Sequence, residues 1–311
     1  MNPPKSPIAS HGPLLDAVRG LRWPAARRVP GGLPGLHRSR MRGTSPEFSE
    51  YRPYRQGDDP RRVDWKLLAR SDRAYIRLAD DHSVLTTYLL LDASASMAFP
   101  GGSGSKWEVA RSITIALGSV VHATGDPVAL IVPGPRPVGL APRTRSGTVS
   151  DLARALHDVQ PGGTHPLAPM LERVPSRARA VIVSDFLGDA EQLLARSRER
   201  VASGGEVHAV HIVAREELEP VRGARLALDP ENRSLRRPLS SATREAYAES
   251  FARWRAELAA GWRAAGAGYT MVVTDAPLDR VVRQVVSPRT TAPGQGAVAA
   301  GGDPSVAGVS S

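Results

Sequence analysis

Val84-Leu-Thr-Thr-Tyr-Leu-Leu-Leu-Asp92-Ala-Ser94-Ala-Ser96-Met97 is the stretch that decides the fold. As far as Leu91 it is apolar or β-branched and closes on Tyr-Leu-Leu-Leu, the composition of a strand buried on both faces. Beyond Leu91 come a carboxylate and two hydroxyls at alternate positions. Side chains two residues apart on an extended chain leave it on the same side. Asp92, Ser94 and Ser96 therefore converge readily on a hard divalent cation, which prefers oxygen ligands. D-x-S-x-S arises by chance in about one chain in ten of this length, and helix caps and turns use the same residues. The rest of the chain has to decide.

Downstream, strands and helices alternate. Apolar residues at helical spacing (Val109, Ile113, Leu117, Val120) predict a helix over Lys106–Ala123. Strands are expected at Pro127–Val132, Ala178–Ser184, Glu206–Val213 and Gly268–Thr274, with an edge hairpin at Val138–Ala141. Further helices are expected at Thr148–Val159, Leu167–Arg173, Ala190–Ser203, Ser241–Ala264 and from Leu278. This alternation predicts an α/β fold: a doubly wound, mostly parallel sheet with helices on both faces. The expected organisation is a flexible Arg/Pro/Gly-rich arm over residues 1–43 and a polar clasp over 44–82. The α/β domain follows over 83–286, then a disordered tail over 287–311.

Composition narrows the chemistry. The 311 residues include no cysteine, which excludes disulfides, thiolate zinc sites and thiol nucleophiles. No apolar run approaches the roughly 18 residues that span a bilayer, and Leu14–Ala26 is too interrupted for a signal peptide. A cytoplasmic protein is the expectation. The net charge of +10 is carried by arginine, since lysine occurs only at Lys5, Lys66 and Lys106. Arg19, Arg22, Arg27, Arg28, Arg38, Arg40 and Arg42 form a basic stretch that is either a solvated arm or a patch for polyanions or anionic membrane.

In an open parallel sheet, ligands bind beyond the carboxyl ends of the strands. Asp92 and Asp185 each follow a predicted strand, and Thr164 sits in a Gly-Gly-Thr turn between predicted helices. Asp92-x-Ser94-x-Ser96, Thr164 and Asp185 together resemble the metal-ion-dependent adhesion site of von Willebrand factor type A domains. The resemblance spans about Val84 to Val286. It implies that Ser94, Ser96 and Thr164 bind one Mg2+ (or Mn2+ or Ca2+) ion through hydroxyls, with Asp92 and Asp185 coordinating directly or through water. It also implies an open position for a partner's carboxylate.

Upstream lies Tyr51-Arg-x-Tyr54-x-x-Gly57-Asp58-Asp59-x-Arg61-x-x-Asp64-Trp65, then Ala69-Arg70. With Asp92-x-Ser-x-Ser-Met97, Gly125-Asp126 and Thr274-Asp275-x-Pro277-Leu278, it is similar to the signature of the domain of unknown function 58 family. Members resemble partners of MoxR-type AAA+ ATPases, which implies an adaptor role in protein or metal-centre assembly. In the clasp, Asp58, Asp59 and Asp64 face Arg55, Arg61 and Arg62, and Trp65 is expected to anchor the turn to the core. Arg55, Asp58, Asp59, Arg61, Asp64 and Trp65 are the partner-contact candidates.

Rival chemistries lack their motifs. Lys106 is flanked by Ser105 and Trp107 rather than by the Gly and Ser/Thr of a phosphate loop, and there is no G-x-S-x-G elbow. The eight histidines show no metal-ligand pairing, and His165 beside Thr164 is expected to lie at the surface or behind the site. The expected function is non-catalytic: metal-dependent binding of an acidic protein client. The alternatives are a metal-dependent phosphohydrolase and a polyanion or membrane-surface binder acting through the arginine arm.

Overall fold

The computed structural model describes residues 7–25, 34–38, 48–55, 60, 63–71, 73–79, 82–100, 104–219, 226–228, 236–238 and 241–287. A 3-10 turn at Ala9–His11 leads into a short helix, α1 (Gly12–Ala17). Then come β1 (Pro34–Arg38), β2 (Phe48–Pro53), α2 (Trp65–Ser71), β3 (Tyr75–Ala79) and β4 (His82–Ser83). They form two small antiparallel ribbons, β1 with β4 and β2 with β3.

The main body begins at β5 (Thr87–Leu91) and α3 (Lys106–Ala123). It continues through β6 (Val128–Val132), β7 (Val138–Arg143), α4 (Thr148–Ala155), α5 (Ala168–Glu172), β8 (Arg179–Ser184) and α6 (Ala190–Ala202). β9 (Glu206–Val213), the short α7 (Arg215–Leu218), and an antiparallel pair, β10 (Leu226–Leu228) and β11 (Arg236–Pro238), follow. α8 (Ser241–Ala264), β12 (Gly268–Val273) and α9 (Leu278–Val286) complete the fold. The six-stranded sheet has the order β12-β9-β8-β5-β6-β7. All its pairings are parallel except β6 with the edge strand β7. The predicted α/β class therefore holds, and α3, β9 and α8 have the predicted bounds. β5 starts at Thr87 rather than Val84, because the Leu85 amide donates to Asp126 Oδ1 (3.0 Å) instead of joining the ladder.

The sheet is apolar on both faces, as a parallel sheet covered by crossover helices must be. Leu89, Leu91, Val181, Val183, Val210 and Ile212 pack with residues of α3 and α9. Their neighbours Leu90, Ala180, Ile182, Val207 and Ala209 pack with residues of α5, α6 and α8 on the opposite face. Full burial of one such leucine contributes about 1.5–3 kcal/mol, so the central strands carry much of the stability.

The flexible arm expected over residues 1–43 is corrected for residues 7–25. Val18 and Trp23 are buried in the core with α3 and α9, and Arg283 Nη2 donates to Ala17 O at 2.6 Å. The fully buried Arg179, at the amino end of β8, donates to Trp23 O (3.2 Å) and Pro24 O (2.8 Å). Its guanidinium lies 4.4 Å from the Trp23 ring centroid and its Nε pairs with Glu206 at 3.0 Å. The Pro, Gly and Arg of this stretch suggest disorder, yet Ile8, Leu14, Leu15 and Leu21 also pack against the core and, with the buried cation, seat the segment. Arg27, Arg28, Arg40 and Arg42 lie outside the described residues, as does the expected tail beyond Ser287.

Candidate functional site

β5 and β8 are neighbours, with Leu91 opposite Val183. From β5 the chain crosses to β6 on one side, whereas β8 lies on the other. This is a topological switch point, where connections diverge and leave a crevice at the carboxyl ends of the strands. Asp92 and Asp185 stand on either side of it. The Asp92 amide donates to Val183 O at 2.9 Å. The Asp92 carboxylate accepts from the Ser94 amide (2.8 Å) and from Ser184 Oγ (2.6 Å). Those contacts turn the chain into a 3-10 segment at Ala95–Ala98 and leave the Ser94 and Ser96 hydroxyls 3.1 Å apart. The loop carrying Thr164 is tied to the same run: Gly162 N donates to Ala93 O (2.8 Å) and Ala95 N donates to Gly163 O (2.9 Å). Gly163 has φ +69°, a region L side chains rarely occupy, and exposed Thr164 follows it onto the rim. The structure thus gathers Asp92, Ser94, Ser96, Thr164 and Asp185 at one end of the sheet. His165 folds back over Gly163, its Nε2 buried without a hydrogen-bond partner among the described residues.

Two features of this rim were not legible in the motifs. Phe186, directly after Asp185, has φ 56°; a bulky side chain in that region is a genuine outlier, and such strain gathers at functional sites. Its amide donates to Ser184 Oγ (2.9 Å) and the Leu187 amide to Asp185 Oδ1 (3.2 Å), which holds the tight turn and leaves Leu187 exposed. The second feature is Lys106 at the start of α3. Its ammonium is fully buried and donates to Asp185 Oδ2 and to Glu217 Oε1, each at 2.7 Å.

Charge is unevenly balanced here. Lys106 serves Asp185 and Glu217, whereas Asp92 has no ion-pair partner among the described residues. Burial, and then the nearby Asp185 carboxylate, push the Asp92 carboxyl up to about 6. Among the described residues no three His, Asp or Glu side chains form a metal-holding cluster, so any ion bound here must rely on hydroxyls as well. The donor set fits a hard divalent cation: two buried carboxylates, one of them uncompensated, beside paired hydroxyls.

His211 on β9 closes the back of the site. It lies edge-on to Phe186 and Trp254, with Nδ1 2.7 Å from the Tyr269 hydroxyl. Burial lowers its pKa to about 3. The ring stays neutral in the folded state, so its stabilisation is complete above the unfolded value of 6.5 and is lost as pH falls toward about 3. The expected loss is up to about 1.4 kcal/mol per pH unit in that window. Urea unfolding at about pH 7.5 and about pH 5 should show a shallower acid loss in His211→Gln than in wild type; equal losses would remove His211 as the cause.

The partner-contact candidates are more scattered. Asp58, Asp59 and Arg61 lie outside the described residues, and Arg55 is exposed. Asp64 caps α2, its Oδ1 accepting from the Lys66 and Leu67 amides at 3.0 Å. The expected anchoring of Trp65 is corrected: it opens α2 with 63% of its surface exposed. Gly125, Asp126, Thr274 and Asp275 of the signature have structural work. Asp126 bonds the Leu85 amide and the Thr124 hydroxyl, and Gly125 at φ +79° makes the turn before it. Thr274 Oγ1 accepts from the Arg215 amide (3.2 Å) and Asp275 pairs with Arg215 Nε (2.8 Å), fastening α7, which bears Glu217.

A mostly parallel sheet with carboxylate and hydroxyl side chains gathered at its switch point is the arrangement expected from the resemblance to von Willebrand A-like domains. Residues 50–257 match the family described as "Protein of unknown function DUF58", and the chain belongs to that family. Uncharacterized proteins of Mycobacterium bovis and Mycobacterium tuberculosis are 30% identical to it, covering 93% of this chain and 98% of their own length. Among solved structures, BatB from Bacteroides thetaiotaomicron is similar at TM-score 0.42 and 15% identity, covering 65% of this chain and 97% of that one. The SpRpn10 VWA domain is similar at TM-score 0.39 and 13% identity, covering 67% and 100%. No helix among the described residues is long and apolar enough to cross a membrane.

Proposed function

We propose that this chain is a non-catalytic, metal-dependent protein-binding module. In this reading Asp92, Ser94, Ser96, Thr164 and Asp185 hold one Mg2+ ion (Mn2+ or Ca2+ being the other hard-cation candidates). The ion supplies an open coordination position for an acidic side chain of a partner. The observation that carries this is the meeting of Asp92 and Asp185 at the switch point, with Asp92 lacking a counter-charge among the described residues. A catalytic role would need a base or nucleophile in fixed geometry. Lys106 is bound into two ion pairs and His211 is buried with Nδ1 against the Tyr269 hydroxyl, so neither is presented to a substrate. The partner we propose, from the family resemblance, is a MoxR-type AAA+ ATPase with its acidic client in the cytoplasm.

The test is binding of a MoxR-type ATPase from the same genome, measured with magnesium and with chelator. Asp92→Ala removes a ligand together with the charge that retains the ion, so binding should weaken about tenfold or more, the worth of one charge-assisted contact. Chelation should reproduce that loss in wild type and add little in the variant, because both act at one site. A folded Asp92→Ala protein that binds equally well in magnesium and in chelator would defeat this reading.

A further inference from the structure

Lys106 and Glu217 belong to none of the five proposed ligands, yet they share the buried side of the site. Lys106 has two seats, Asp185 Oδ2 and Glu217 Oε1, at the same 2.7 Å. Glu217 is not there by accident of a floppy loop. Its other oxygen accepts from the Ala214 amide at 2.8 Å, and α7 is fastened through Arg215 to Thr274 and Asp275. Asp92, Asp185 and Glu217 carry three negative charges against the one positive charge of Lys106. The remainder is two negative charges, the complement of one divalent ion. An ammonium on Asp185 and a divalent ion on the same carboxylate repel each other, strongly so where water is excluded. Both cannot share it without cost, and Glu217 offers the ammonium somewhere else to stay.

We infer that Lys106 is a tethered cation that gates the site: it competes with the divalent ion for Asp185 and retires onto Glu217 when the ion binds. This rests on the metal-binding reading above. It makes Glu217, far from the motif, a determinant of affinity, and it links occupancy to the seating of α7. Glu217 acts only through Lys106, which separates this role from a general electrostatic one.

The test is calorimetric titration of the full chain with MgCl2 and with MnCl2, in wild type, Lys106→Met, Glu217→Gln and the double variant, with folding checked by circular dichroism. Lys106→Met should bind about tenfold or more tightly, and Glu217→Gln about tenfold more weakly, because its lysine has lost the second seat. In the Lys106→Met background the Glu217→Gln effect should shrink to about twofold or less. A Lys106→Met protein that binds no better than wild type overturns the gate, as does a Glu217→Gln effect equally large in both backgrounds. If Lys106→Met does not fold, Glu217→Gln alone decides, since unchanged or tighter binding there overturns the gate too. Wild type that binds weakly beside a tight-binding Lys106→Met supports it. Absence of binding in every variant at millimolar metal brings down the metal reading itself, and the gate with it.

Discussion

An Asp92→Asn protein is expected to melt higher than wild type in metal-free buffer near neutral pH. Asn accepts from the Ser94 amide as the carboxylate does and turns its NH2 to Ser184 Oγ, which then accepts instead of donating, and it removes a buried charge. The Asp92 carboxyl is raised from 3.8 to about 6, so the folded state disfavours its charged form. The sign follows from linkage: between those values the folded state binds more protons than the unfolded one, and stability falls as pH rises through the window. Two units correspond to about 3 kcal/mol, or about 6–10 °C in a domain of this size. The difference should vanish below about pH 3, where the wild-type carboxyl is neutral in both states. Magnesium should raise the wild-type melting temperature and leave Asp92→Asn unmoved. If the variant melts at or below wild type in chelator, or responds to magnesium alike, Asp92 is a cap and not a ligand.

Deleting residues up to Ala25 should cost about 3–6 kcal/mol. The deletion strips Trp23 and Val18 from the core, where each contributes about 1.5–3 kcal/mol. It also leaves Arg179, at the opposite end of β8 from Asp185, without two of its acceptors; the entropy of the released segment offsets part of the loss. Trp23→Ala alone should cost about 3–5 kcal/mol. Thermal melts followed by circular dichroism check both. A deletion protein melting within a degree or two of the full chain would show that the strap contributes nothing.

Much of the main body was legible because a buried parallel strand and an amphipathic helix leave local signatures. Tyr88–Leu91 and the Val109/Ile113/Leu117/Val120 stripe needed no tertiary information. Asp92 and Asp185 could be placed at strand ends for the same reason. Lys106 could not be read, because its partners lie 79 and 111 residues away and meet it only once β5, β8 and β9 are known to be adjacent. Arg179 did leave a trace, a cation opening an otherwise apolar strand, but its partners Trp23 and Pro24 were hidden in a stretch that looked solvated. Trp65 failed the other way: an aromatic beside charged residues suggested an anchor, and its side chain faces solvent instead.

The strap formed by residues 7–25 has a consequence for biosynthesis. It is synthesised before every wall of its own seat. Arg179 lies more than halfway along the chain, and Arg283, which holds Ala17 O, is carried by the helix that ends the described fold. Domains fold as their residues leave the ribosome, but the seat of this segment is incomplete until α9 has followed it out. The chain around Ala17 is therefore expected to stay protease-accessible on nascent chains stalled before Leu278 and to become protected only after release of α9. The first described turn of the protein to be made is among the last to be put in place.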